Sequence, residues 1–297
     1  MRFPRTLLEF HSQFPDEASC WAYLRRMRWP RGFVCPRCGR RGSHFIQTRQ
    51  LEQCRHCRHQ ASVTAGSVFH GTRVPLRVWF LGIFFLARHK KGISARQFQR
   101  DTGLGSYQTA WTLLHKLRSG LGPHPEDRLT GAVEADETYI GGYHPGRGRG
   151  LGKTGIAAVV ERRRPSASAI RLAVVPNTSA EALGAFVRGA IEDRDATVFT
   201  DAWVGYASLR RQGVDHRPRV GGRGRSAAKI LPSAHSAFGN LKTWLRGTFH
   251  GVSTKHLQRY LDEFVYRFDH RWREEQLFAS VLRRATQAGP CPYYRLT

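Results

Sequence analysis

The stretch GAVEADETYIGG, residues 131–142, places acidic side chains in the middle of a segment that alternates like a β-strand. Because successive side chains of a strand point to opposite faces, Glu134, Asp136 and Thr138 are expected on one face. A carboxylate in the middle of a strand caps no helix, and burying it without a partner is costly. Asp136 is therefore expected either to pair with an arginine or to bind a cation.

A second acid, Asp201, ends the apolar segment ATVFTD at residues 196–201. Residues 152–163 and 168–177 predict two further strands, and a helix is predicted from Ser179. Three antiparallel-looking strands, a helix and a fourth strand are the order of a ribonuclease H-like sheet, in which acids on the first and fourth strands lie side by side. Asp201 alone could be a helix N-cap, but this order predicts that it shares a metal site with Asp136.

Four cysteines, Cys35, Cys38, Cys54 and Cys57, form two Cys-x-x-Cys pairs separated by fifteen residues. This spacing is typical of tetrahedral zinc bound by two knuckles, and the alternating residues between the pairs suit short ribbon strands. Disulfides are the competing interpretation, but nothing in the sequence indicates an oxidising compartment. Four protein ligands leave no open position, so we expect a structural Zn²⁺ that takes no part in chemistry.

The composition indicates a nucleic-acid-binding protein of two or three domains. The 297 residues include 48 Lys and Arg against 22 Asp and Glu, a formal net charge of +26. The basic residues are mostly arginine, which grips phosphate through two parallel hydrogen bonds, and they are spread from Arg2 to Arg295. No apolar run reaches the roughly 20 residues of a membrane span, and no secretory leader opens the chain.

Residues 74–121 predict a helical segment that resembles a helix-turn-helix. A first helix is opened by Pro75 and closed at Gly92. Ser94 and Ser106 are then expected to cap two helices separated by a glycine-containing turn. The second of these begins with Tyr107, Gln108 and Thr109, the positions that reach base edges in such motifs. Two packed helices of a small bundle remain the alternative.

The motifs RWPRGFVCPRCG, VEADETYIGG, FTDAWVGY and HGVSTKHLQRYLDEFVYRF together resemble bacterial insertion-sequence transposases. The resemblance runs from about Phe14 to Arg271. It implies an N-terminal zinc ribbon, a DDE-type catalytic domain of ribonuclease H-like fold, and divalent metal, Mg²⁺ or Mn²⁺. The implied reaction cuts the ends of the element and joins them to target double-stranded DNA. Asp136 and Asp201 occupy the positions of the family's two aspartates.

The third active-site position departs from the commonest family pattern, which has an acid there. The family places a polar ligand seven residues before a lysine, and its members include His or Asn at this position. His235 and Lys242 have that spacing, two helical turns apart on one face. Asn240, about 140° round the helix from His235, is the alternative. Lys242 is expected to bind a terminal phosphate, and a histidine ligand predicts a response to Mn²⁺.

The predicted architecture is multidomain α+β. An N-terminal helix and zinc ribbon are expected over residues 1–70, the helix-turn-helix-like segment over 71–125, a ribonuclease H-like domain over 126–280, and a tail over 281–297. Two Gly/Arg loops are expected to contact phosphates through Arg147, Arg149, Arg223 and Arg225.

Two other functions share parts of these motifs. A zinc-ribbon DNA-binding regulator with an inactive ribonuclease H-like domain would explain the absent third acid. A structure-selective nuclease would cut DNA without joining it. For a transposase we expect a homo-oligomer that brings two ends together, acting in the cytoplasm at the nucleoid.

Overall fold

The computed structural model describes residues 4–124, 126–141, 152–162, 169–220 and 227–297, and for residues 193–195, 227 and 274 it describes only the backbone. The chain divides into two compact units. The first unit contains Met1–Leu121 together with Arg273–Thr297, and the second contains Gly122–Trp272.

Helices dominate the first unit, which also has one small sheet. With elements numbered along the chain, its helices are α1 (Leu7–Gln13), α2 (Glu17–Arg28), α3 (Leu76–Arg88), α4 (Ala95–Thr102), α5 (Tyr107–Ser119) and α10 (Glu274–Gln287). Its strands are β1 (Ser43–Ile46), β2 (Leu51–Cys54) and β3 (Gln60–Ser62). They form an antiparallel sheet in the order β1-β2-β3.

The C-terminal helix α10 belongs to the core of the first unit. Phe278 of α10 is fully buried, and its ring lies 5.7 Å from that of Phe14 and 5.8 Å from that of Phe80. Buried aromatic pairs at such separations are major contributors to core stability. Residues 281–297, predicted as a tail, thus lie in the first unit, because α10 carries apolar residues that the N-terminal helices bury.

Helices α4 and α5 are joined by a short turn, as the helix-turn-helix pattern predicts. Gly103 has a φ of 68°, which ends α4 in the left-handed region where glycine is favoured. The Oγ of Ser94 accepts a hydrogen bond of 3.2 Å from the amide of Gln97, which confirms the predicted cap. Ser106 occupies the N-cap position of α5 but forms no side-chain cap bond, and α3 ends at Arg88 rather than continuing to Gly92.

The second unit is built on a five-stranded mixed sheet. Its strands are β4 (Leu129–Ile140), β5 (Thr154–Glu161), β6 (Ile170–Val175), β7 (Ile191–Asp201) and β8 (Asp215–Arg219), in the order β6-β5-β4-β7-β8. The β4–β5 and β5–β6 pairs are antiparallel, whereas the β4–β7 and β7–β8 pairs are parallel. Helix α6 (Ala180–Ala190) packs on one face, and α8 (Pro232–Phe249) and α9 (Thr254–Asp269) pack on the other, following the short α7 (Ala227–Ile230).

This arrangement confirms the predicted fold class. Three antiparallel strands, a helix and a parallel fourth strand occur in the expected order, after an N-terminal cysteine cluster and a helical segment. The fifth strand, β8, was not predicted from the sequence. Among the described residues, no helix combines the length and apolar character needed to cross a membrane.

Side chains of α9 cover the edge strand β6. The amide of Val174 donates to the Oε1 of Gln258 at 2.9 Å, and the amide of Ile170 donates to the Oδ1 of Asp269 at 2.9 Å. The Gln258 Nε2 also donates to the carbonyl of Leu172 at 3.3 Å. An exposed edge would present these backbone groups to another chain, so α9 closes this side of the sheet.

Candidate active site and cysteine cluster

The two predicted aspartates lie level with each other on neighbouring parallel strands, Asp136 within β4 and Asp201 at the end of β7. The last residue pair between β4 and β7 joins Glu134 to Phe199, and Asp136 and Asp201 each follow two residues later. Because the strands are parallel, both carboxylates come to the same edge of the sheet. Asp136 is buried, with 5% of its surface exposed.

His235 lies next to Asp136. It lies in the first turns of α8, and its Nε2 is 3.4 Å from the Oδ2 of Asp136. The other Asp136 oxygen, Oδ1, accepts the amide N–H of Glu137 at 2.9 Å, which orients the carboxylate. Neighbouring ligands of an octahedral cation at about 2.1 Å lie about 3 Å apart, so this donor pair fits a shared divalent ion.

Asp201 is oriented by the turn that follows its strand. Its Oδ1 accepts the amide of Trp203 at 3.1 Å, a local bond that opens the turn at the end of β7. The carboxylate therefore lies at the start of a turn, as the N-cap interpretation also expected.

Lys242 and Asn240 take different positions on α8. Burial lowers the pKa of Lys242, the nearby charges of Arg246 and Lys153 lower it further, and the charge of Asp136 opposes them. The ammonium of Lys242 is thus close enough to Asp136 to interact with its charge. The side chain of Asn240 is exposed to solvent. The structure brings His235 rather than Asn240 to Asp136.

Glu134 connects the strand of Asp136 to the helix of His235. Its carboxylate is fully buried, and its Oε2 accepts the amides of Ser233 at 2.7 Å and Ala234 at 2.9 Å. Its Oε1 pairs with the Nε of Arg162 at 3.0 Å. The N-cap residue of α8 is Leu231, whose side chain cannot accept a hydrogen bond. Glu134 therefore caps α8 from the sheet and stabilises its N-terminus through the helix dipole.

Glu137 faces the opposite side of the sheet, where it contacts the turn after β7. Its Oε2 accepts the hydroxyl of Tyr206 at 2.9 Å. Burial, together with the charges of Glu137, Asp136 and Asp201, raises the pKa of Tyr206 well above its usual value. Tyr206 thus stays neutral and donates a hydrogen bond to Glu137, which connects the turn after Asp201 to the strand of Asp136.

The sequence signal for these two supporting residues was incomplete. Alternation along β4 showed which face each acid occupies. The amides that Glu134 caps lie 99 and 100 residues further along the chain, so no local pattern identifies them.

The four cysteines of the ribbon converge as their spacing predicts. All four Sγ atoms lie within 4.8 Å of one another, and the Cys35–Cys57 and Cys38–Cys54 Sγ pairs are each 3.6 Å apart. Four sulfurs bound tetrahedrally at about 2.3 Å from zinc would be about 3.8 Å apart, whereas a disulfide requires about 2.05 Å. The cluster therefore fits a zinc ion and excludes disulfides between these pairs.

Backbone amides support the thiolate form that a metal requires. The amide of Cys57 is the largest influence on Cys54 and lowers its pKa to about 6, assisted by the amide of His56 and opposed by burial. Zinc binds the thiolate, so these N–H donors favour the ligand form.

The predicted DNA-contacting residues fall in two groups. Tyr107 and Gln108 are exposed at the start of α5, Thr109 is half-buried, and the guanidinium of Arg96 lies 5.1 Å from the Tyr107 ring centroid. The loop arginines predicted to contact phosphates, Arg147, Arg149, Arg223 and Arg225, lie outside the described residues.

Comparison with known proteins covers both units. Residues 128–269 match the family model of the ISXO2-like transposase domain, and residues 15–60 match that of the transposase zinc-ribbon domain. The two matches together span more than half of the chain. They include the four clustered cysteines, both aspartates, His235 and Lys242.

A curated relative comes from Halobacterium salinarum, where it is described as an uncharacterized protein in the transposable element ISH50. It is 30% identical over 164 residues, which are 51% of this chain and 54% of the relative. The chain thus spans about half the length of that relative. The two domain matches, in the order that the sequence motifs indicated, show that the chain belongs to the ISXO2-like insertion-sequence transposases with an N-terminal zinc ribbon.

Proposed function

We propose that this protein is a metal-dependent transposase that cuts the ends of an insertion element and joins them to target DNA. The observation that carries the proposal is the approach of His235 Nε2 to 3.4 Å from Asp136 Oδ2, inside the unit that matches the transposase domain. Asp201, at the end of the neighbouring parallel strand, supplies the second carboxylate.

Asp136, Asp201 and His235 are the residues that would hold divalent cations, Mg²⁺ or Mn²⁺. Carboxylate oxygens suit both ions, and an imidazole is better tolerated by Mn²⁺. When bound, such cations activate the attacking hydroxyl and stabilise the leaving oxygen of a phosphodiester. Asn240 is the alternative third residue, but its exposed side chain makes it the weaker candidate.

The chain's own residues orient this site. The amide of Glu137 fixes one oxygen of Asp136, while Glu134 holds the helix that carries His235. Lys242, partly buried near Asp136, would bind an oxygen of the scissile or terminal phosphate. A phosphate there would offset the cost of burying the ammonium charge.

The proposed reaction has two phosphoryl transfers of the same kind. A water oxygen first attacks phosphorus at the element end, and the bond from phosphorus to the 3′ oxygen breaks, leaving a 3′-hydroxyl and a 5′-phosphate. That hydroxyl then attacks a target phosphodiester and displaces another 3′ oxygen, so the number of phosphate ester bonds is unchanged. No oxidant, reductant or nucleotide is consumed.

DNA binding follows from the family, and the contacts that provide it are part of the proposal. We assign base contacts to Tyr107, Gln108 and Thr109 at the start of α5, where two of the three side chains are exposed. Arg147, Arg149, Arg223 and Arg225 are assigned to phosphates on charge alone. Two element ends must meet for joining, so we propose a homo-oligomer on DNA.

The test is a cleavage and joining assay with labelled DNA from the two flanks of the coding sequence. Joined products in the presence of Mn²⁺ or Mg²⁺, lost in Asp136→Ala and Asp201→Ala proteins, support the proposal. Cut ends without joining would identify a nuclease instead. A DNA mobility shift without breakage, at any metal concentration, would identify a DNA-binding regulator.

A further inference from the structure

A cleft of 380 Å³ opens beside the candidate active site. Its polar lining consists of Lys242, Arg246 and His250, which lie at or beyond the middle of α8. Its other wall contains Tyr139 and Ile140 from the end of β4, with further apolar lining from Leu245 and Val252. One wall therefore offers two cations and an imidazole, and the other offers mostly apolar surface.

The cations of this cleft continue the face of α8 that carries His235. At about 100° per residue, His235, Lys242 and Arg246 lie within about 40° of one another around the helix. The row from His235 to Arg246 is about 16 Å long at 1.5 Å per residue, and His250 follows it as the C-cap residue of α8. Gly239 lies within the same sector, and a Cβ atom there would meet nothing within 4 Å, so the face stays open between His235 and Lys242.

Like charges crowd this face. Besides burial, the charges of Arg246 and Lys153 lower the pKa of Lys242, and Asp136 opposes them from the active-site end. Within the described part of the chain, neither Lys242 nor Arg246 forms an ion pair with a carboxylate. Repulsion of this kind is relieved when an anion binds between the cations.

We propose that this face of α8, from Lys242 through Arg246 to His250, binds the phosphates of the DNA strand next to the scissile bond. The apolar wall of the cleft would pack against the sugars and bases of the same strand. This inference rests on the proposed function and adds a contact surface to it. Charge and cleft shape set the class of ligand: a polyanion with an apolar component, which is a nucleic-acid strand.

The competing explanation is helix stabilisation. Arg246 lies in the last turn of α8, where a cation interacts favourably with the negative end of the helix dipole. Arg188 provides a matched control, because it is exposed in the last turn of α6, on the opposite face of the sheet. An Arg→Ala change removes the same charge from the last helical turn in both cases.

The experiment measures DNA affinity over a series of salt concentrations for the full-length wild type and for Arg246→Ala, Arg246→Lys and Arg188→Ala. The probe is a labelled duplex from one flank of the coding sequence. Loss of one phosphate contact should weaken binding about tenfold and reduce the slope of log affinity against log salt by about 0.9. We expect this for Arg246→Ala only, with Arg246→Lys retaining the wild-type slope because the charge remains.

Equal slopes of log affinity against log salt for Arg246→Ala and Arg188→Ala would contradict the proposal that this face of α8 binds phosphates. If the wild type still cut and joined DNA, the proposed function would survive that result. Conversely, a reduced slope for Arg246→Ala in a protein that cuts no DNA would support this face while contradicting the transposase proposal.

Discussion

The cysteine cluster and the proposed catalytic site of this chain are assembled in opposite ways. The cysteine cluster draws all its ligands from residues 35–57, on two knuckles beside one small sheet. The proposed catalytic residues Asp136, Asp201 and His235 come from β4, the end of β7 and the first turns of α8, so their arrangement exists only when the second unit is folded. The cysteines form their site within one short segment of the chain, whereas the proposed catalytic residues are positioned by the packing of the second unit.

This difference predicts which property, folding or reaction rate, a substitution in each site will change. A closed four-cysteine site contributes folding free energy directly and performs no chemistry. A site of carboxylates on a finished sheet contributes chemistry, and its buried charges cost stability unless neighbouring groups hold them. Substitutions in the first should therefore change folding, and substitutions in the second should change rates.

The largest effect is expected from Cys54→Ser. Loss of a zinc ligand should remove most of a binding free energy of about 10 kcal/mol or more and unfold the ribbon. Zinc content and thermal unfolding, followed by circular dichroism, would show bound metal lost and the melting of the first unit altered. Cys291→Ser, outside the cluster, is the control. A Cys54→Ser protein that kept stoichiometric zinc would contradict the assignment.

Asp136→Asn should produce the second-largest effect, this time on rate. Removing a proposed ligand of the catalytic cations should slow DNA cleavage by about a thousandfold or more, corresponding to several kcal/mol of transition-state stabilisation. The melting temperature should change little. Asp215→Asn removes an exposed acid from β8 of the same sheet and should leave cleavage intact. Comparable rates for the two variants would rule out the site.

Glu134→Gln tests how the sheet positions the helix of His235. The substitution keeps the shape but removes the charge that caps Ser233 and Ala234. We expect the maximal cleavage rate to fall about 10- to 100-fold and the metal concentration for half-maximal rate to rise, with DNA affinity unchanged. Glu181→Gln, in the first turn of α6, is the control. A loss of stability without any shift in the metal titration would show that Glu134 is structural only.

His235→Glu should change the metal preference by a smaller factor. An imidazole favours Mn²⁺ over Mg²⁺ relative to a carboxylate, so the ratio of Mn²⁺ to Mg²⁺ cleavage rates should fall several-fold. Cleavage rates with each metal, measured at saturating DNA, provide that ratio. Asn240→Ala should leave it unchanged, and the opposite pattern would make Asn240 the third residue.

The last effect is on stability rather than on the reaction, and it concerns a partly buried acid outside both sites, Asp262. Burial raises the pKa of Asp262 to about 6, although hydrogen bonding from Gln258 and the charge of Arg259 oppose it. The folded state therefore binds the proton of Asp262 more tightly than the unfolded state does. The stability that this protonated carboxyl contributes is lost as pH rises from about 4 to about 6. Asp262→Asn should raise the free energy of unfolding at pH 7 by at most about 3 kcal/mol and change little near pH 4.

Denaturant unfolding at the two pH values measures this difference. Asp215→Asn should behave oppositely, because hydrogen bonding from Thr197, and then from Arg217, lowers the pKa of Asp215. Its stabilising effect is present at neutral pH and lost as pH falls through that lowered value. Equal stabilisation by Asp262→Asn at both pH values would contradict the burial argument.

The sequence predicted what depends on short spacing or on strand order. The cysteine pairs needed only their spacing, and the placement of Asp136 and Asp201 followed from the order of strands. Strand β8 escaped prediction because DHRPR has no apolar alternation, and its pairing with β7 supplies its structure. Such a segment becomes a strand through its neighbour rather than through its own residues.

Contacts across a long stretch of chain also escaped prediction. The cap that Glu134 places on α8 depends on how the sheet and the helix pack, which no local pattern records. Helix α10 was divided between a domain and a tail, because its apolar residues find their partners near the opposite end of the sequence. The sequence could thus predict the candidate site residues, but not the contacts that position them.

The contribution of α10 to the first unit also sets an order for biosynthesis. Residues 122–272 leave the ribosome before Phe278 does, so the sheet that carries Asp136 can fold first. At that stage the aromatic core around Phe14 and Phe80 still lacks the Phe278 ring. The zinc-binding, helix-rich unit is the first to be started and the last to be completed. A nascent chain that stalls before residue 273 would carry the acidic cluster on a protein whose amino-terminal unit is unfinished.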